Sequence, residues 1–248
     1  MPDDDILHDQ IDYYRARSGE YDEWWFRLGR YDRGDAFNAH WHAETAAAEA
    51  AFDRWLASVR PRRVLELACG TGLFTRRIAG HVEHLTAVDA SSEVIDLNRA
   101  RVHSADVDYV AADLFEWRPR QRYDSVVFTF WLSHVPDGRF DGFWRLVDDA
   151  LAPGGSVYLV DSAYDATSTA RDHALPRREA GVVSRKLNDG REFRIVKVFW
   201  TPDALAARLT TVGWRATLEQ TTRYFIYGEV RRQHRPRGAL PARQRPRV

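Results

Sequence analysis

Two glycines and three acids carry the spacing of a nucleoside site. Gly70 and Gly72 follow Val64–Leu67, a short apolar run that reads as a buried strand, and a helix is predicted directly after them over Leu73–Ala79. Glycine at such a turn lets the backbone approach a ligand and adopt conformations that other residues avoid. Glu66, Asp89 and Asp113 close three successive predicted strands, so their carboxylates should gather on one rim of a sheet. Ligands of open α/β sheets lie beyond that rim, at the topological switch point. Asp89 follows Gly70 by 19 residues, close to the ~20-residue spacing at which an acid reaches ribose hydroxyls. One carboxylate can accept from both hydroxyls. Asp113 is placed to accept from an adenine exocyclic amine. A dinucleotide fold needs a small residue where Thr75 stands, and a phosphate-binding P-loop needs a terminal Gly-Lys-[Ser/Thr]; the chain has neither. The turn therefore reads as a nucleoside site without a pyrophosphate grip.

A second constellation carries proton chemistry. His134 lies in Phe130-Trp131-Leu132-Ser133-His134-Val135-Pro136, just past the fourth predicted strand, and Asp161 ends the fifth. A carboxylate on the neighbouring strand would orient the imidazole and stabilise its charged form. The pair is a candidate general base with its orienting acid, a device that contributes roughly 10²–10⁴-fold. The other histidines form no His-Glu-x-x-His motif, and Cys69 is the single cysteine, so neither a metal site nor an internal disulfide is expected.

These residues need a scaffold, and the hydrophobic pattern supplies one. Residues 1–60 read as a helical lid, with Ile11, Tyr14, Tyr21, Trp24, Trp25 and Leu28 at partly helical spacing and an Ala-rich helix over Asn38–Val59. Arg60-Pro61 ends that helix. Strands at Val64–Leu67, Leu85–Val88, Val107–Ala111, Ser125–Phe130 and Ser156–Val160 then alternate with helices, which implies parallel βαβ units with right-handed crossovers. Pro153-Gly154-Gly155 is expected to stop a helix over Phe140–Leu151, and Ser91 or Ser92 to cap one over Glu93–Ala100. Residues 162–192 read as a polar insertion shaping a second site. Glu192–Phe199 is a predicted strand, Ala204–Val212 a helix, and Trp214–Glu219 and Tyr224–Val230 an antiparallel closing pair. The domain then runs over 61–230. Residues 231–248 carry seven Arg and three Pro without apolar period, and disorder is expected there.

With these elements in place, the chain resembles the class I S-adenosylmethionine-dependent methyltransferases over roughly residues 62–230. Glu66-Leu67-Ala68-Cys69-Gly70-Thr71-Gly72 is similar to that family's first motif, with Ala68 where glycine is usual, a mild departure in size. Ala87-Val88-Asp89-Ala90-Ser91 and Ala112-Asp113-Leu114 resemble the second and third. Tyr123-Asp124-Ser125-Val126-Val127 and Leu151-Ala152-Pro153-Gly154-Gly155 resemble the fourth and fifth. The resemblance implies a doubly wound, mostly parallel, seven-stranded Rossmann-like sheet under an N-terminal helical lid. It implies S-adenosylmethionine as cofactor, held by Glu66, Ala68, Gly70, Gly72, Asp89, Ala90, Asp113, Leu114 and Phe130. From the aromatic lid, Tyr14 and Tyr21 are expected to face the ligand. The implied reaction is direct displacement onto a small-molecule acceptor, at oxygen or nitrogen, with His134 as base.

Composition narrows the partners. Formal net charge is zero, so no bulk attraction to nucleic acid or anionic membrane is expected. No apolar run nears the roughly 20 residues of a membrane span. The acidic start Met-Pro-Asp-Asp-Asp is unlike a signal peptide, and a cytoplasmic protein is expected. Nucleic-acid methylation is the first alternative. Enzymes of that kind that act on base amino groups usually carry Asn- or Asp-Pro-Pro-Tyr where this chain has Phe128-Thr129-Phe130-Trp131. The second is a relative that binds the cofactor without methylating. No motif identifies the acceptor or the oligomeric state.

Overall fold

Runs of aliphatic and β-branched residues form the parallel part of one seven-stranded sheet: β1 (Arg63–Leu67), β2 (His84–Asp89), β3 (Val107–Ala111), β4 (Tyr123–Thr129) and β5 (Leu151–Ser162). A closing pair, β8 (Trp214–Gln220) and β9 (Phe225–Arg232), joins β5 antiparallel, giving the order β3-β2-β1-β4-β5-β9-β8. The computed structural model describes residues 2–175 and 177–233, so the expected disorder of 234–248 lies outside the described residues. The direction of winding reverses between β1 and β4, which opens the ligand crevice at their carboxyl ends.

Central strands covered on both faces read as near-continuous apolar runs. Leu65, Leu67, Val126 and Phe128 face α6 (Asp137–Ala150) and α7 (Pro202–Thr211), meeting Phe143, Trp144 and Leu205. Val64, Val127 and Tyr158 face the other layer, α3 (Asp35–Val59), α4 (Thr75–Ala79) and α5 (Ser92–Val102), meeting Phe52, Trp55 and Ile78. Local signals set the ends of these helices. Ser91 Oγ accepts from Val94 N at 3.2 Å, and Thr201 Oγ1 accepts from Ala204 N at 3.2 Å just before Pro202.

The N-terminal helices α1 (Pro2–Ala16) and α2 (Glu23–Phe26) do cover the rim. The lid is not helical alone, however. A two-stranded hairpin, β6 (Val182–Lys186) and β7 (Glu192–Val196), packs on α1 around a small separate core of Tyr13, Val183, Leu187 and Ile195. Sequence reading missed β6 because Val183 is its one fully buried residue. Pro153-Gly154-Gly155 does not stop a helix either: α6 ends at Ala150 and these residues lie inside β5. A Cβ on Gly155 would stand 2.7 Å from Asp124 O, and the pairing register shifts between Tyr123 and Ser125. The motif is thus a strand irregularity that needs glycine for close backbone approach. Arg231 and Arg232, placed by sequence in the tail, belong to β9.

Candidate active site

The glycine turn is built by its neighbours. Gly70 and Gly72 take φ of +54° and +91°. A Cβ on Gly72 would lie 2.7 Å from Asn98 Oδ1. Asn98, buried on α5, donates to Gly70 O at 3.0 Å, Cys69 O at 3.3 Å and Thr75 Oγ1 at 2.8 Å. Thr75 therefore helps brace the turn. Asp89 accepts from Gly70 N through Oδ2 and from Ser91 N through Oδ1, each at 3.0 Å. Burial raises its carboxyl's affinity for a proton, while those backbone amides oppose the rise. Asp113 Oδ1 accepts from Phe115 N at 2.9 Å.

These residues line one lobe of a two-lobed cavity. Asp89, Ala90, Asp113 and Leu114 face Leu7, Ile11 and Val94 there. Two carboxylates above apolar walls fit a ribose and a base. Glu66 differs from expectation: it is buried and lines neither lobe. Burial pushes its carboxyl up to about 8, with Thr75 opposing and Asp89 adding to the rise. Gly72 and Asp161 also stay outside the lining; Ala68, Gly70, Phe130, Tyr14 and Tyr21 are in it.

The other lobe lies under the lid. Its empty volume, mouth included, is about 960 Å³ against 680 Å³ for the first. Three cations line it: Arg17, Arg185 and Lys197. Arg17 lies over the rings of Tyr13, Tyr21 and Tyr31. Arg185 Nη1 is buried without a hydrogen-bond partner. Neither arginine pairs with a carboxylate among the described residues. Lys197 Nζ donates to Ser133 Oγ at 2.8 Å and Ser162 Oγ at 3.3 Å, with Asp161 Oδ1 at 3.9 Å. Burial lowers its ammonium to about 8; Asp161 opposes, and Arg185 and Arg17 deepen the fall. Sequence reading passed over all three cations. Lys197 did leave a signal, being one of two lysines and standing inside the apolar run predicted as the strand Glu192–Phe199; the observed strand ends one residue before it.

His134 sits where the lobes meet, but its expected partner is elsewhere. Asp161 accepts from Ser133 N at 2.8 Å and Ser162 N at 2.7 Å and faces Lys197. The imidazole Nδ1 instead lies 2.7 Å from Val196 O, and Nε2 lies 2.7 Å from Tyr14 Oη. Desolvation, then Lys197, pushes the imidazole well below its ordinary range, with Arg185 and Arg17 adding to the fall. Ala68 and Phe130 flank the same junction and hold φ of +53° and +56°. Such left-handed backbone costs an L-residue about 1–2 kcal/mol and tends to collect at functional sites. Ala68 thus departs from the usual glycine in conformational strain more than in size.

Comparisons with known proteins agree with this geometry. Residues 64–155 match a family model described as a methyltransferase domain. The trans-aconitate 2-methyltransferase of Mycobacterium tuberculosis is 33% identical over 168 residues, 66% of this chain and 60% of that protein. The chain thus spans about 60% of the length of this curated relative. A solved structure of DhpI with S-adenosylhomocysteine is 37% identical, with a TM-score of 0.75 over 93% of this chain and 98% of the other. DhpI with S-adenosylmethionine and a ligand abbreviated HEP is 38% identical, with a TM-score of 0.72 over 91% and 97%. No helix among the described residues is long and apolar enough to cross a membrane. The glycine turn, the acids on the rim and a relative matched over nearly its whole length lead to one conclusion: the chain belongs to the class I S-adenosylmethionine-dependent methyltransferases.

Proposed function

We propose that the chain moves a methyl group from S-adenosylmethionine to an oxyanion oxygen of a small molecule in the cytoplasm. The observation that carries this reading is the set Arg17, Arg185 and Lys197 in one lobe under the lid, with Asp161 as a carboxylate beside Lys197 alone. A buried cation without a partner is costly, and an anion offsets that cost through charge-assisted hydrogen bonds. Arginine suits planar or tetrahedral oxyanions because its fork donates in two parallel bonds. Ile195, Phe199 and Leu175 offer apolar walls to the rest of the acceptor. The M. tuberculosis relative, named for trans-aconitate, supports an anionic acceptor.

The cofactor supplies the activated methyl carbon. Asp89 and Asp113 would hold its ribose and base, and the turn at Gly70 would admit its remaining part. An oxyanion is already deprotonated, so the protein's task is alignment and exclusion of water more than proton removal. Under this reading His134, neutral and bonded to Tyr14 and Val196 O, positions the lid and takes no proton. Nucleic-acid methylation gains no support from a cavity closed over by α1, α2 and the hairpin. The test is transfer of labelled methyl to a panel of small carboxylates, trans-aconitate included, phosphorylated and phosphonylated compounds, amines and phenols. Label on an oxyanion is the expected result; label confined to amines or phenols would reject the reading.

A further inference from the structure

We infer that Tyr14 presents its phenolic oxygen, as an acceptor only, to the methyl-bearing sulfonium of the cofactor, and that His134 is the positioning residue that fixes this polarity. The inference rests on cofactor binding and not on the identity of the acceptor. The argument begins at Val196 O, 2.7 Å from His134 Nδ1. A carbonyl can only accept, so Nδ1 carries the proton and the Nε2 of the neutral ring is bare. The ring is held neutral by burial and by the nearby cations Lys197, Arg185 and Arg17. Tyr14 Oη, 2.7 Å from Nε2, must therefore spend its one proton on the imidazole. Its own ionisation is opposed by burial, then by Tyr21 and Tyr13. What remains free on that oxygen is lone-pair density.

Location decides what this density can meet. Tyr14, Tyr21, Ala68, Thr129, Phe130 and His134 are the residues that line both lobes. A methyl group passing from a ligand in one lobe to a ligand in the other crosses the boundary that these residues form. An oxyanion would be repelled by an oxygen that cannot donate. A methyl bound to a positive sulfur has polarised C–H groups, which accept such a contact; weak hydrogen bonds of this class contribute about 0.5–1 kcal/mol each. The thioether product lacks both the methyl and the charge, so the contact separates substrate from product.

The experiment compares affinities for S-adenosylmethionine and S-adenosylhomocysteine by calorimetry on the full chain. Tyr14→Phe is expected to weaken S-adenosylmethionine about two- to fivefold more than S-adenosylhomocysteine. His134→Ala should lose the same discrimination. His134→Gln should keep it, because its amide can donate to Val196 O and accept from Tyr14. A purely structural role for either residue would weaken both ligands alike, and that result overturns the inference. A second measurement needs no variant: the methyl proton signal of ¹³C-methyl-labelled S-adenosylmethionine bound to the native protein. A downfield displacement from the free ligand supports an oxygen contact; an upfield displacement places the methyl over a ring face instead and rejects it.

Discussion

The two lobes of the cavity are built on different principles. In the lobe assigned to the cofactor, the acids find partners close by. Asp113 is satisfied two residues on, by Phe115 N, and Asp89 by Ser91 N and the turn at Gly70. In the lobe assigned to the acceptor, contacts join distant parts of the chain. Tyr14 meets His134 across 120 residues, and Trp24 Nε1 donates to Ser168 O across 144. Gln10, which lines the first lobe, makes the same kind of long reach: it donates to His134 O and accepts from Val196 N, both at 3.2 Å. The acids of the first lobe are thus set at strand ends, and Leu7 and Ile11 of α1 complete its wall. The polar contacts of the other depend on docking throughout, made when α1 and the β6–β7 hairpin settle on the rim. Asp22, which accepts from Thr71 Oγ1 at 2.6 Å and pairs with Arg101, ties the lid to the glycine turn, and Tyr21 packs against Gly70. The division suggests that acceptor recognition can change while cofactor binding stays.

The strongest way to break this comparison is to damage the glycine turn next to Ala68, a residue that lines both lobes. Gly72→Ala combines positive φ with a Cβ 2.7 Å from Asn98 Oδ1. Left-handed strain and overpacking together should cost about 2–4 kcal/mol, read as a lower urea midpoint, with affinity lost in both lobes. An unchanged midpoint would mean that the turn has another way to fit. Arg185→Gln should separate the lobes. Removing one charge-assisted contact is worth about 1.5–3 kcal/mol, so acceptor KM should rise roughly 10–100-fold while S-adenosylhomocysteine affinity holds. Equal losses in both would deny the independence of the two lobes.

Titration sharpens the contrast. Lys197, lowered to about 8, is a cation below that pH and neutral above it. Acceptor affinity should fall as pH rises through 8, by up to about tenfold per unit where this charge is required. Arg17 and Arg185 stay charged in that window, and Asp161 faces the ammonium throughout. Glu66 beneath the turn ionises near the same pH, so acceptor and cofactor affinities must be measured separately. A flat acceptor profile from pH 7 to 9 would remove Lys197 from the site. The smallest expected effect is at Ala68. Ala68→Gly should stabilise the protein by about 1 kcal/mol through relief of its φ of +53°, with no change in the ranking of acceptors.

Legibility followed the same division. Five strands, the glycine turn at Gly70 and the placing of Asp89 and Asp113 at or just past strand ends could be read from sequence because each is set by a local pattern: an apolar run, a glycine that must turn, an acid where the strand stops. Glu66 was misplaced because a strand-end position does not say whether a side chain turns toward the crevice or into the interior. The pairing of His134 with Asp161 failed for a related reason. Both end neighbouring strands, yet Asp161 is consumed by the amides of Ser133 and Ser162 and by Lys197.

The sequence by itself determined the sheet, the glycine turn and the cofactor family, since these follow from periodicity and backbone conformation within a few residues. Only the tertiary structure decided the cation set and the Tyr14–His134–Val196 chain. Arg17, His134, Arg185 and Lys197 stand on four separate segments, and no pattern along the chain records which distant segments will pack together. That choice is made by burial of the small core of Tyr13, Val183, Leu187 and Ile195, which draws the lid and the hairpin over the rim.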